Sequence, residues 1–341
     1  MLNKTYMKQA KDNWNSIATP LNSLGKLEDI IVQCAGIFET DKVCIDKKAV
    51  VVMCADNGIV EEGVTQTGQE VTKIVAENMT SDKATIALMS KKCGADVFVV
   101  DIGMATDSDN TQIINKKIMY GTHNFAKESA MTREQARAAI QVGIDLVKNL
   151  KESGYQVIAT GEMGIGNTTT SSAIAACILE KEPEVVTGRG AGLCSEGLTR
   201  KINLIKQALE KYQPDRTDGI DVLSKVGGLD IAGMCGVFIG GAIYRIPILI
   251  DGFISATAAL VAQVIEPQSK EFMIPTHVSA EPAGQMMLDA LELEPMLCLN
   301  MCLGEGSGAA MAFHILDMAS VIYNEMCEFH EIEIQAYEPL E

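Results

Sequence analysis

The chain has 341 residues, 47% of them hydrophobic, which is enough for a substantial buried core, yet no window holds the roughly 18 uninterrupted apolar residues that a membrane span needs. A formal net charge of -17 excludes the broad basic face required to bind a nucleic-acid backbone. Ten cysteines without a CxxC pair and four histidines with no two at ligand spacing argue against a disulfide framework and against a zinc site. Reduced thiols point to the cytoplasm, and the start of the chain, Met1-Leu2-Asn3-Lys4-Thr5-Tyr6, shows no secretory signal.

In chain order, residues 1–45 read as helical. A series of short β-branched or apolar runs follows, each ending in an acid, a glycine or both, as buried parallel strands do when their carboxyl ends carry function. They are Val50-Val51-Val52-Met53-Cys54-Ala55 before Asp56, Val97-Phe98-Val99-Val100 before Asp101, and Gln156-Val157-Ile158-Ala159 before Gly161-Glu162. Ile246-Pro247-Ile248-Leu249-Ile250 before Asp251-Gly252 and a weaker Phe272-Met273-Ile274 before Ser279-Ala280-Glu281 complete the set. Between them, Thr132 and Gln135 form a capping-box signature ahead of a helix that reaches Glu152 and stops at Ser153-Gly154. Helices also fit Thr169 to Glu180, Glu196 to Tyr212, Ile231 to Tyr244, Ala283 to Leu291 and Ala309 to Tyr323. Such alternation predicts an α/β fold with a doubly wound parallel sheet, and ligands of such sheets sit beyond the carboxyl ends of the strands. Asp56, Asp101, Glu162, Asp251 and Glu281 are therefore expected near one cleft, some of them as helix caps.

Three glycine-rich stretches carry chemistry. Leu303-Gly304-Glu305-Gly306-Ser307-Gly308 places one carboxylate between glycines, just ahead of a helix. At a helix N-terminus Glu305 would be kept ionised, and both a helix cap and a general base are open readings. Gly161-Glu162-Met163-Gly164-Ile165-Gly166-Asn167-Thr168-Thr169 follows a strand and opens a helix, the arrangement that cradles an anion on backbone N–H groups. It lacks the lysine of a nucleotide-triphosphate loop. Thr187-Gly188-Arg189-Gly190-Ala191-Gly192 lacks the spacing of a dinucleotide turn, which disfavours NAD-dependent chemistry. Lys201 reads, on its own, as a solvated surface lysine. Lys225-Val226-Gly227-Gly228-Leu229-Asp230 opens a helix with small residues through Gly233, Gly236, Gly240 and Gly241, which reads as a tight helix–helix contact.

Together, Ala55-Asp56-Asn57-Gly58-Ile59, the Gly161–Thr169 block, Lys225-Val226-Gly227-Gly228, Asp251-Gly252-Phe253, Ser279-Ala280-Glu281 and Leu303–Gly308 resemble, collinearly over nearly the whole chain, the nicotinate-nucleotide:dimethylbenzimidazole phosphoribosyltransferase family. The resemblance implies a Rossmann-like parallel sheet flanked by helices over 46–310, a small helical domain built from 1–45 plus 311–341, and a homodimer. It implies transfer of the 5-phosphoribosyl group from nicotinate mononucleotide to 5,6-dimethylbenzimidazole, giving α-ribazole 5'-phosphate and nicotinate in cobalamin lower-ligand synthesis, with no cofactor and no metal. Glu305 matches the family's catalytic base and Glu162 a second acid at its aromatic-base pocket. Pro295 and Leu303 fall in that pocket, while Gly164, Lys201 and Ser279 fall on phosphate contacts; Thr67, Gly166, Asn167 and Asp251 complete the expected substrate-binding set. Two positions depart from the pattern: Thr67-Gly68 replaces a Ser-Pro or similar pair, and Cys302 stands where others carry arginine. The same chemistry on another benzimidazole, adenine or a phenolic compound is the nearest alternative, and a non-catalytic partner subunit is another.

Overall fold

The computed structural model describes residues 1–338. Two helices, α1 (Lys4–Ser16) and α2 (Lys26–Phe38), precede the first strand, β1 (Lys48–Ala55). Then come α3 (Glu70–Met79), α4 (Thr85–Cys93), β2 (Ala95–Gly103), β3 (Ile114–Asn115), α5 (Arg133–Glu152), β4 (Val157–Met163), α6 (Asn167–Leu179), α7 (Pro183–Val186), α8 (Ser195–Tyr212), α9 (Gly219–Val226) and α10 (Leu229–Tyr244). The chain continues through β5 (Ile248–Ile250), α11 (Phe253–Ile265), β6 (Met273–Pro275), α12 (Gly284–Ala290) and α13 (Ser307–Glu325).

All six strands pair in parallel in the order β3-β2-β1-β4-β5-β6. Strand β1 lies at the centre, Val50 opposite Val97 of β2 and Met53 opposite Glu162 of β4. The direction of winding reverses between β1 and β4, so the crevice of the sheet opens above Ala55 and Met163.

The twofold alternation of β1 divides its side chains between two cores. Ala49, Val51, Met53 and Ala55 pack with α5, α10 and α11, through residues such as Ile140, Phe238 and Val261. Val50, Val52 and Cys54 pack with Trp14, Ile31 and Phe313 from α1, α2 and α13, so helices from both ends of the chain cover one face of the sheet. On the opposite face α10 lies directly on α5. A Cβ at Gly143 would stand 2.6 Å from the Val237 nitrogen, and one at Gly236 would collide with the Ile140 carbonyl oxygen, so the small residues exist for this contact. Among the described residues no helix is long and apolar enough to cross a membrane.

Candidate active site

Above the reversal lies a cavity of about 340 Å³, within the usual size of a small-ligand site. Its walls come from Val64–Thr67 ahead of α3 and Val75 within it, Glu162–Thr168 from the end of β4 into α6, and the Arg189–Leu193 loop. The remainder is Asp251–Ser255 after β5, His277, Ser279 and Glu281 after β6, and Cys302–Glu305 ahead of α13.

Gly304, Glu305 and Gly306 are three successive left-handed residues, with φ of 89°, 63° and 87°. Glycine enters that region freely, whereas a glutamate there costs about 1–2 kcal/mol. Asp251 holds the turn in place: its Oδ2 accepts from the Gly306 N–H at 3.1 Å and its Oδ1 from the Ala309 N–H at 2.9 Å. The start of α13 is therefore capped by Asp251. Glu305, expected at that terminus, instead turns its carboxylate away and accepts from the Ile86 N–H, in the first turn of α4, at 3.2 Å. Burial pushes its pKa above the usual carboxylate range, against the pull of the Ile86 N–H and with help from the charge on Asp251. Burial also raises Asp251, while His277 and the three backbone N–H groups ahead of it draw it back.

Glu162 is the penultimate residue of β4 and is 6% exposed. Burial, then the charges of Asp230, Asp251 and Glu305, push it up to about 8 against the hydrogen bond from Asn167. Lys201, on α8, is fully buried, and not a solvated surface lysine as its sequence context suggests. Its Nζ donates to Thr168 Oγ1 at 2.9 Å and to the Gly188 carbonyl at 3.2 Å. Removal from water lowers it to about 8, while Glu281 pulls the other way.

A family model described as phosphoribosyltransferase (DBI_PRT) matches residues 1–334. Nicotinate-nucleotide--dimethylbenzimidazole phosphoribosyltransferase of Acetivibrio thermocellus is 50% identical over 338 residues, 99% of this chain and 96% of that protein. The chain belongs to this family. The enzyme of the same name from Ruminiclostridium cellulolyticum is 48% identical over 340 residues, 100% of this chain and 97% of its own length. The crystal structure of CobT from Thermus thermophilus superimposes with a TM-score of 0.92 at 33% identity, covering 98% of this chain and 100% of that one, and confirms the Rossmann-like α/β fold.

Of the residues that the family pattern singles out, Thr67, Glu162, Gly164, Gly166, Asn167, Asp251, Ser279, Leu303 and Glu305 all line the cavity. Lys201 stands behind its wall, bonded to the lining residue Thr168. Pro295 lies apart from it; its carbonyl accepts from Lys26 Nζ at 2.9 Å. The structure adds His277 and Arg189, which sequence reasoning did not select. Arg189 sits in a glycine run whose spacing fits no dinucleotide, and a lone histidine carries no local signal. Cys302, the departure from arginine, also lines the cavity.

Proposed function

We propose that this cavity takes nicotinate mononucleotide and 5,6-dimethylbenzimidazole together, moves the 5-phosphoribosyl group between them, and uses Glu305 as the base. The observation that carries this reading is the convergence of Glu305 and Glu162 on one cavity, with the ammonium of Lys201 behind the Thr168 wall. The reaction is the one in the name of the relatives, and α-ribazole 5'-phosphate is its product for cobalamin lower-ligand assembly.

Nicotinate in the donor is a pyridinium, so leaving from C1' neutralises its ring charge and needs no acid. The benzimidazole must instead lose its ring N–H as its other nitrogen attacks, which calls for one base. Glu305 suits the task because burial makes it more basic than a free carboxylate, while the Ile86 N–H fixes where its oxygen points. Attack from the face opposite the departing nicotinate turns a β- into an α-glycosidic bond. Carboxylates near C1' favour the oxocarbenium-like transition state. Glu305→Gln keeps the side-chain shape and removes the base. Turnover to α-ribazole phosphate is expected to fall roughly 10²- to 10⁴-fold with unchanged circular dichroism; wild-type turnover would eliminate Glu305 as the base.

The proposal extends to the assembly. Leu303, 54% exposed on the cavity lining, with the exposed Leu299 and with Leu88, Met318 and Val321 on α4 and α13, supports a homodimer, because a second copy would cover such apolar side chains. The Trp14–Tyr323 ring contact at 5.1 Å, joining α1 to α13, supports a small helical domain of 1–45 with 311–341, whose residues 339–341 lie outside the described ones. Ten unpaired thiols favour the cytoplasm.

A further inference from the structure

Asp230, in the first turn of α10, is completely buried. Its Oδ2 accepts from Asn167 Nδ2 at 3.0 Å, and the same nitrogen donates to Glu162 Oε2. One amide nitrogen thus spends both of its hydrogens on two acids. Turning the amide over would aim its carbonyl oxygen at two carboxyl groups, so the pair of acids fixes its orientation. Two glycines leave the room: a Cβ on Gly164 would lie 2.6 Å from Asp230 Oδ2, and one on Gly228 would lie 2.5 Å from Oδ1 and 2.7 Å from Asn57 Oδ1. Asn57 is held in turn by Thr170 Oγ1 at 3.1 Å. The Lys225–Asp230 motif, which reads from sequence as packing alone, therefore also supplies an acid to the knot beneath Glu162.

We propose that Asp230 is a positioning residue for the phosphoribosyl transfer, holding Glu162 in orientation and protonation through the amide of Asn167. This rests on the reading that Glu162 faces the aromatic base. A packing role alone would favour an apolar side chain, because a buried carboxylate is costly to keep. The titratable groups facing the pair are Asp251 and Glu305 towards Glu162, Asp56 towards Asp230, and Cys54 towards both; each is an acid, and the opposing contacts are neutral donors, the Asn167 amide to both acids and the Ile231 N–H to Asp230 Oδ1 at 3.0 Å. With Glu162 pushed up to about 8 and Asp230 to about 7, burial being the first cause in both, the pair shares its protons at neutral pH. With Glu162 carrying a proton, the basicity of Glu305 rests on its own burial and on the charge of Asp251.

The test uses full-length protein labelled with ¹³C-glutamate, titrating the infrared band of the protonated carboxyl and following turnover in parallel. Glu162→Gln identifies the band by deleting it. Asp230→Asn removes a like charge and should lower the midpoint of Glu162 by about one pH unit, whereas Asn167→Ala removes the stabilising N–H and should raise it by a similar amount. In both variants kcat is expected to fall about tenfold or more, and in Asp230→Asn, whose site does not line the cavity, KM for nicotinate mononucleotide should stay within about twofold of wild type. Titrations of both variants that superimpose on wild type would overturn the proposal, and so would a loss of kcat without any shift. If Asp230→Asn does not fold, the smaller and equally uncharged Asp230→Ser is titrated in its place, and a Glu162 midpoint equal to wild type there overturns the proposal. Full turnover by Glu162→Gln would remove Glu162 from the chemistry, and the two shifts would still decide whether Asp230 governs it.

Discussion

Lys201 shows how burial separates a solvated surface charge from one held behind a cavity wall. Its two hydrogen-bond partners, Thr168 Oγ1 and the Gly188 carbonyl, are neutral oxygens, so its charge is not matched by a contacting anion. A phosphate oxygen in the cavity beside Thr168 would supply that match, and in so dry a setting a charge-assisted hydrogen bond contributes about 1.5–3 kcal/mol. Lys201→Met keeps the length and apolar stem while deleting the cation. Steady-state kinetics should show KM for nicotinate mononucleotide rising roughly ten- to a hundredfold, with a smaller change in kcat. An unchanged KM would take Lys201 out of the phosphate site. The sequence could not reveal this residue by itself, because a lysine in the second turn of an amphipathic helix is ordinarily solvated; only the resemblance selects it.

At the scale of elements, the same logic separates what the sequence discloses from what it hides. Helix α5 is legible to the residue because its cap is local: Gln135 N–H donates to Thr132 Oγ1 at 3.2 Å, and the Thr132 N–H to Gln135 Oε1 at 2.8 Å. Helix α4 is silent because Ala84 ahead of it offers no side-chain cap, and the acceptor for Ile86 is Glu305, far along the chain. Helix α13 is legible as a helix, but its cap is not, since Asp251 comes from beyond β5. Caps brought from a distance are the same groups that build the site, so local pattern fails where function begins. Two-residue β3 has no period to read. The glycines of α10 are legible as a close contact, and that contact is testable. Gly236→Ala drives a methyl into the Ile140 carbonyl of α5, which forces the two helices apart. Overpacking of this kind costs about 1–3 kcal/mol, and the urea midpoint should fall accordingly. A midpoint equal to wild type would mean that the α5–α10 spacing is not set by this contact.

For the molecule as a whole, the gathering of acids at the carboxyl ends of the strands ties stability to pH. Burial raises Asp56, Asp101, Glu162, Asp230, Asp251, Glu281 and Glu305, and it is the first cause in every case. A carboxyl whose folded pKa lies above its unfolded one binds its proton more tightly in the native state. Its contribution is therefore complete below the unfolded pKa and is lost as pH rises through the folded value. For Glu162 that window opens at the ordinary value of 4.5 and closes at about 8; for Asp230 it runs from 3.8 to about 7. Lys201 acts in the other direction and later. Lowered from 10.5 to about 8, it binds protons better in the unfolded chain, so its penalty on the native state shrinks as pH rises through that interval. The melting temperature should thus decline steadily from about pH 5 to about pH 8, and flatten or recover above it. Glu162→Gln, which cannot ionise, should show a shallower decline over the same interval. A melting temperature that rises between those limits, or an equal slope in the variant, would mean that the acids at the strand ends are ionised in the folded state at a lower pH than their burial requires.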